Sequence, residues 1–461
     1  MRESTLHSTS SPRARFLGLF FAFFIALFIA GCGGGGSSGS GSGSAAATPV
    51  STVISGLAAT SLGALPVPSA PLNAVPVTVE SRWANGISVA NQPYVSVTVC
   101  VPKADNSTPT QCQTIDHILV DTGSVGLRIL SSALSSSFQL NMIRNASNLP
   151  VLSCVTYLDG SYTWGPLVDA YVQIGGETIS NLPMQVVGQS GFNAYGSQCS
   201  STGSAITTAA KLGAKGIIGV GLWAQDCGSY CAPSNNLSSN GRYFSCTTNS
   251  CTAVQGTTLA TASQVQNPVA LFSSDNNGLA MVMAAPTASG QSTATGTLYF
   301  GLGTQSNNAY TNAYTVLQTD AYGYIQTTAA ANSVGVSTVT KYSSFIDSGS
   351  NGLFFDSGLT TCTNATYFDC PASATAITAT LKDATGLNPK SATVTVSSPL
   401  AAFNAYYAAI PQLAGNVGNS DIFDWGLPFF YGRTVVIGIE GKAYPNGFGS
   451  ANTYTGPYFA F

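Results

Sequence analysis

Charge is what this chain has least of: Asp, Glu, Lys and Arg together make up 7% of 461 residues, and the formal net charge is −3 at pH 7. Without a basic run or stripe there is nothing to neutralise a phosphate backbone, so nucleic-acid binding is excluded. Histidine is nearly missing, with His7 near the N-terminus and His117 alone in the rest. A metal site built on two His ligands is thereby excluded, and any Ser-His-Asp triad would have to use His117. Paired C-x-x-C knuckles are also lacking, which removes the common zinc framework, and no metal or cofactor is expected. Disorder does not explain the low charge, because 20 Tyr, 22 Phe and many Val and Ile stand in alternating runs. Polarity comes from Ser, Thr, Asn and Gly instead. That is the composition of an all-β protein whose outer strand faces carry hydroxyls and amides.

The N-terminus reads as an export signal. Arg13 and Arg15 precede the apolar run Phe16 to Ala30, too short for a comfortable membrane span and the right length for a secretory h-region. It ends Ile29-Ala30-Gly31-Cys32, which resembles the bacterial lipobox, whose Cys becomes the lipidated first residue. Residues 1–31 are then a lipoprotein signal peptide, and 32–76 a Gly/Ser/Ala-rich tether. Removing the leader leaves 12 basic and 17 acidic residues. The expected location is the bacterial cell envelope, lipid-anchored on the periplasmic side or in the outer membrane. Ten cysteines follow Cys32, an even number that suits disulfides in an exported chain. Spacing suggests Cys227 with Cys231, Cys246 with Cys251, and Cys362 with Cys370. Cys100 with Cys112 would staple a hairpin, leaving Cys154 and Cys199 for each other.

One stretch occurs twice. Ile118-Leu119-Val120-Asp121-Thr122-Gly123-Ser124-Val125-Gly126-Leu127 and Phe345-Ile346-Asp347-Ser348-Gly349-Ser350-Asn351-Gly352-Leu353 both reduce to apolar residues followed by Asp-(Thr/Ser)-Gly-Ser-x-Gly-Leu. Each reads as a strand breaking into a tight turn with a carboxylate at its tip, so two turns could present two carboxylates to one site. Asp356-Ser357-Gly358 also spells the tripeptide but lacks the following Ser and Gly-Leu. The first copy resembles the active-site loop of pepsin-like aspartic peptidases, with Arg128 where that family commonly has Trp. Other landmarks of that family follow in order. Tyr157-Leu158-Asp159-Gly160-Ser161 resembles the flap, Gly216-Ile217-Ile218-Gly219 the segment threading behind the first loop, and Asn267 to Met283 the crossing between lobes. Tyr322-Gly323-Tyr324-Ile325 resembles the strand ahead of the second Asp, and Asp424-Trp425-Gly426 the thread behind the second loop, with Asp424 at a position that is apolar in the family.

The resemblance implies a bilobal all-β acid protease fold, with residues 77–290 and 291–461 as its lobes and a cleft between them. It implies catalysis by Asp121 and Asp347, one protonated and one ionised because like charges ~3 Å apart cannot both be carried cheaply. The ionised member would take a proton from a water while the other protonates the scissile carbonyl. Thr122 and Ser348 would bond across the lobes, Ser124 and Ser350 would orient the carboxylates, Gly123 and Gly349 would let the turns approach, and Tyr157 would cover the substrate. The substrate would be a peptide or protein, and a monomer is expected. Two other readings stay open: a non-catalytic pepsin-like binding protein, and a disulfide-rich β surface lipoprotein whose Asp loops are structural. Arg128, Asp424 and the absence of Lys or Arg between Ala45 and Pro76 favour them, since no basic segment is there to cap an acidic pair.

Overall fold

Strands build most of this molecule, and many of them are buried along nearly their whole length. A computed structural model describes residue 65 and residues 71–461 apart from 84–86, 106, 193–196, 201–202, 234–241, 248–249, 257, 312–313, 332–338 and 417. The signal segment, Cys32 and, apart from residue 65, the tether up to residue 70 lie outside the described residues. Strand β1 (Ala74–Glu80) begins three residues ahead of the lobe boundary read from sequence. The reason is visible in its pattern: Val75, Val77 and Val79 all point inward, at 6%, 1% and 0% exposure, and each buried valine contributes roughly 1.5–3 kcal/mol.

β1 is followed by β2 (Pro93–Cys100), β3 (Cys112–Asp121) and β4 (Val125–Leu130), then by a long hairpin of β5 (Val151–Thr156), β6 (Tyr162–Ile174) and β7 (Glu177–Val187). β8 (Gly216–Val220) completes the first half. β9 (Gly278–Met283) and β10 (Thr293–Phe300) lead to the second half, which holds β11 (Ile325–Ala331), β12 (Val339–Ile346), β13 (Leu353–Phe355) and β14 (Ile422–Trp425). A short helix α1 (Leu427–Phe430) precedes the closing strands β15 (Thr434–Gly438) and β16 (Tyr458–Ala460). The protein is all-β, as its composition indicated.

The two halves share a floor. β1 pairs antiparallel with β10, β10 with β9, β9 with β15, and β15 with β16, so strands from both ends of the chain join one continuous sheet. A separate 7-stranded sheet holds β11 to β14. Behind the second Asp loop the rings of Phe355, Phe423 and Trp425 stack at 4.3 and 4.2 Å, and Trp425 donates from Nε1 to Thr327 Oγ1 at 3.0 Å. This packing fixes the backbone from which the loop projects.

Disulfides join Cys100 to Cys112, Cys154 to Cys199, Cys227 to Cys231, and Cys362 to Cys370. Cys246 is also disulfide-bonded; the side chain of Cys251, its expected partner, lies outside the described residues.

Candidate active site

Each Asp loop is built the same way. β3 runs into Asp121 and β4 leaves the turn, while β8 lies between them, parallel to β3 and antiparallel to β4. In the second half β12 runs into Asp347, β13 leaves, and β14 lies parallel to β12 and antiparallel to β13. The crossing strand ties down the turn in both: Gly221 N–H donates to Ser124 O at 2.9 Å, and Leu427 N–H donates to Ser350 O at 2.8 Å. A strand that must enter a tight turn with polar groups buried needs these bonds, since buried backbone polar groups are otherwise costly.

The turns then lock onto each other. Ser348 N–H donates to Thr122 Oγ1 at 2.9 Å, and Thr122 N–H donates to Ser348 Oγ at 3.2 Å. The hydroxyls pass their own hydrogens onward, Ser348 to Val120 O at 2.8 Å and Thr122 to Ile346 O at 3.3 Å. This brings the carboxyl groups of Asp121 and Asp347 within hydrogen-bond reach of one another. Gly123 N–H is shared between Asp121 Oδ1 at 2.9 Å and Asp347 Oδ1 at 3.0 Å, and Gly349 N–H donates to Asp347 Oδ1 at 2.7 Å. A Cβ on Gly123 would lie 2.5 Å from Asp347 Cγ, and one on Gly349 would lie 2.6 Å from Asp121 Oδ1. Only glycine lets the turns close this far. Ser124 Oγ bonds Asp121 Oδ2, and Ser350 Oγ lies 3.0 Å from Asp347 Oδ2.

Both carboxyl groups are fully buried. Burial pushes each above the usual carboxylate range, but unequally. Asp121 is held down by Ser124, by Asp347, by the Gly123 N–H and by the Arg128 guanidinium. Among the described residues no cation is ion-paired with Asp347; Asp121 and a third carboxyl, Asp424, push it well above the usual range in addition to burial. Arg128, 1% exposed, takes the place under the first loop that the resemblance gives to Trp, and its guanidinium donates to Val125 O and lies 3.4 Å from Asp226 Oδ2. Asp226 also receives the Tyr243 hydroxyl. Sequence reading did not single out Asp226. A lone Asp between Gln225 and Cys227 carries no motif, and only the fold brings it to Arg128 and Tyr243.

Tyr157 does not stand free at a hairpin tip. It is 2% exposed and packs with Val155, Leu130, Val187 and Ile217, in the field of Arg128 and Asp121, and burial pushes its hydroxyl up to about 12. The next residue makes the contact across the halves: Leu158 packs against the second half's cluster of Phe354, Phe368 and Ile410. The hairpin thus lies closed against both halves. Asp356 of the competing tripeptide is exposed, and Ser357 is engaged with Asp369 instead. His117 stacks on Trp83 at 4.2 Å and pairs with Glu80 and Asp116, so the one histidine a triad could use is committed elsewhere. Beside the first loop lies a cavity lined by Gly123, Leu222, Trp223, Tyr324, Phe345 and Phe459 among others. Among the described residues no group of three or more His, Cys, Asp and Glu is disposed to hold a metal ion.

Fold and site together define an all-β protein in which two Asp-(Thr/Ser)-Gly-Ser loops, one from each half, meet at a buried pair of carboxyl groups. The chain belongs to the family described as "Protein of unknown function (DUF3443)", which matches residues 69–461. Comparison with curated proteins gives no match. Among solved structures it is similar to the aspartic proteinase from Irpex lacteus, with 16% sequence identity, a TM-score of 0.42, and coverage of 84% of this chain and 96% of that one.

Proposed function

We propose that this protein is an aspartic endopeptidase that hydrolyses peptide bonds through a water activated by Asp121 and Asp347. The observation that carries the reading is the buried carboxyl pair, held by backbone N–H groups and by reciprocal Thr122–Ser348 bonds. Asp121, beside Arg128, is the ionised member and takes the proton of the attacking water. Asp347 holds the proton and gives it to the scissile carbonyl oxygen, producing a tetrahedral intermediate with no covalent link to the enzyme. The aromatic cavity beside Gly123 would receive an apolar side chain of the substrate. Both carboxyl groups are buried and the Tyr157–Ser161 hairpin is packed against the second half through Leu158, so on this reading substrate entry requires the hairpin to lift from that contact.

The purified full chain, incubated at acid pH with an unfolded protein or a mixed peptide library, is expected to cleave it and to be blocked by a pepstatin-type inhibitor. Cleavage that survives Asp121→Asn would remove this reading. Binding of peptides without cleavage, retained in Asp121→Asn, would support a binding protein on the same scaffold. The leader supports anchoring at the cell envelope: Cys32→Ser is expected to abolish incorporation of labelled lipid and to release the protein from membranes, and unchanged labelling would exclude Cys32 as the anchor.

A further inference from the structure

The two halves are similar enough that each position in one loop has a twin in the other, and the charged residues break that correspondence. Opposite Arg128 on β4 the crossing strand carries Ile217, whereas opposite Phe354 on β13 it carries Asp424. Arg128 and Phe354 are twins, as are Ile217 and Asp424. The scaffold therefore accepts an apolar residue where Asp424 stands, and both twins are fully buried. A carboxyl group in such a place needs a chemical reason.

The bonding around Ser350 supplies one. Its hydroxyl oxygen lies 3.0 Å from Asp347 Oδ2 and 2.5 Å from Asp424 Oδ2. A hydroxyl has one hydrogen to donate, so it cannot serve two carboxylates at once, and one of the two acids must itself donate. Asp424 Oδ1 is buried and has no hydrogen-bond partner among the described residues, as suits the carbonyl oxygen of a neutral acid and not a bare carboxylate oxygen. The titratable groups acting on Asp424 are acidic: Asp347 on the adjoining loop and Asp121 from the other half. At its register the flanking strands present Phe345 and Phe354, and Lys341, farther along β12, donates to Ser420 O instead.

We propose that Asp424 is a positioning residue for the carboxyl pair: its proton is donated to Ser350 Oγ, Ser350 donates to Asp347 Oδ2, and Asp347 donates to Asp121, so that the chain runs one way and leaves the negative charge beside Arg128. Three carboxyl groups then hold two protons. The assignment rests on the peptidase reading for its consequence but not for its proton count. Burial, which pushes Asp424 well above the usual carboxylate range, agrees with it.

Two variants test the chain. Asp424→Asn keeps a donor toward Ser350 and is expected to leave kcat within about threefold, whereas Asp424→Ile, which copies the twin position, removes the donor and is expected to lower kcat about tenfold or more with little change in KM. Should the Ile variant fail to fold, Ser350→Ala breaks the same link. Equal activity of the Asn and Ile or Ala forms overturns the directed chain. A second readout needs no cleavage: the pH dependence of unfolding between about pH 5 and 6 should show Asp424→Asn releasing one proton fewer than wild type on unfolding. Equal release means that Asp424 is ionised in the folded protein, and the proposal fails. If the wild type cleaves nothing, the peptidase reading is lost and the proton count alone decides.

Discussion

Asp347→Asn is expected to lower kcat/KM for peptide cleavage by roughly 10²- to 10⁴-fold, the range attached to loss of a general acid, and at the same time to make the folded protein more stable at neutral pH. The two effects have one cause. Asp347 is buried with no ion-paired cation among the described residues, Asp121 and Asp424 act on it, and its carboxyl group is pushed well above the usual range. In the unfolded chain it would ionise near pH 4. A group raised in this way contributes stability that is fully present below the unfolded value and is lost as pH rises through the folded one. Between those two values each proton retained by the folded state costs about 1.4 kcal/mol per pH unit. Asn has no proton to lose and can still present an oxygen to the Gly123 and Gly349 N–H groups. Urea unfolding should therefore find the variant equal to wild type near pH 3 and more stable at pH 7. A variant that is less stable at pH 7, or one that cleaves as well as wild type, would show that Asp347 is a structural turn residue.

Such a stability cost is what the peptidase reading expects of its site. The local geometry around the two Asp residues was largely legible in the sequence, because the constraints there are short-range and doubled. Asp, a small hydroxyl residue, Gly and Ser at fixed spacing leave few conformations for the turn, and repetition of the pattern leaves few partners for it. Alternation in β1 likewise follows from period two and burial. What could not be read was any contact set by packing over long separations. Tyr157 sits at flap spacing, but only the three-dimensional neighbourhood of Val155, Leu130, Val187 and Ile217 turns it inward. Leu158, an ordinary apolar residue in sequence, is the one that reaches the other half.

Arg128 and Asp424 show the same limit from the other side. Both stood out in sequence as departures, and as isolated departures they argued against catalysis. Placed at non-equivalent positions of two equivalent loops, they act in opposite directions on the two carboxyl groups. A symmetric pair of acids has no preferred base. One cation under Asp121 and one extra acid behind Asp347 would supply the preference; each acts within its own half, and joining the halves turns the two effects into a difference between paired groups.

The joint between the halves should be equally sensitive. Ser348→Ala removes the acceptor of Thr122 N–H and the donor to Val120 O, both in the fully buried centre of the site. Two polar groups left unpaired cost about 1–3 kcal/mol each, so a loss of roughly 2–6 kcal/mol is expected by chemical denaturation. Thr122→Ala should behave alike, since it strands Ser348 N–H and Ile346 O. The four bonds are distinct, and simple addition would double the cost in the double variant. We expect less than the sum, because once one pair of bonds is gone the turns can part and admit water to the rest. The parting would also displace Asp121 from Asp347, and misplacement of that order costs about 10²-fold in rate. Ser348→Thr is the control: it writes the first loop's residue into the second, keeps the hydroxyl, and should keep most of both stability and cleavage. If Ser348→Ala costs less than about 1 kcal/mol, or if Ser348→Thr is as damaging as Ala, the reciprocal bonds do not hold the carboxyl groups together, and the pairing of Asp121 with Asp347 must rest on the other contacts between the halves, such as the shared sheet of β1, β10, β9 and β15 and the Gly123 N–H bond to Asp347.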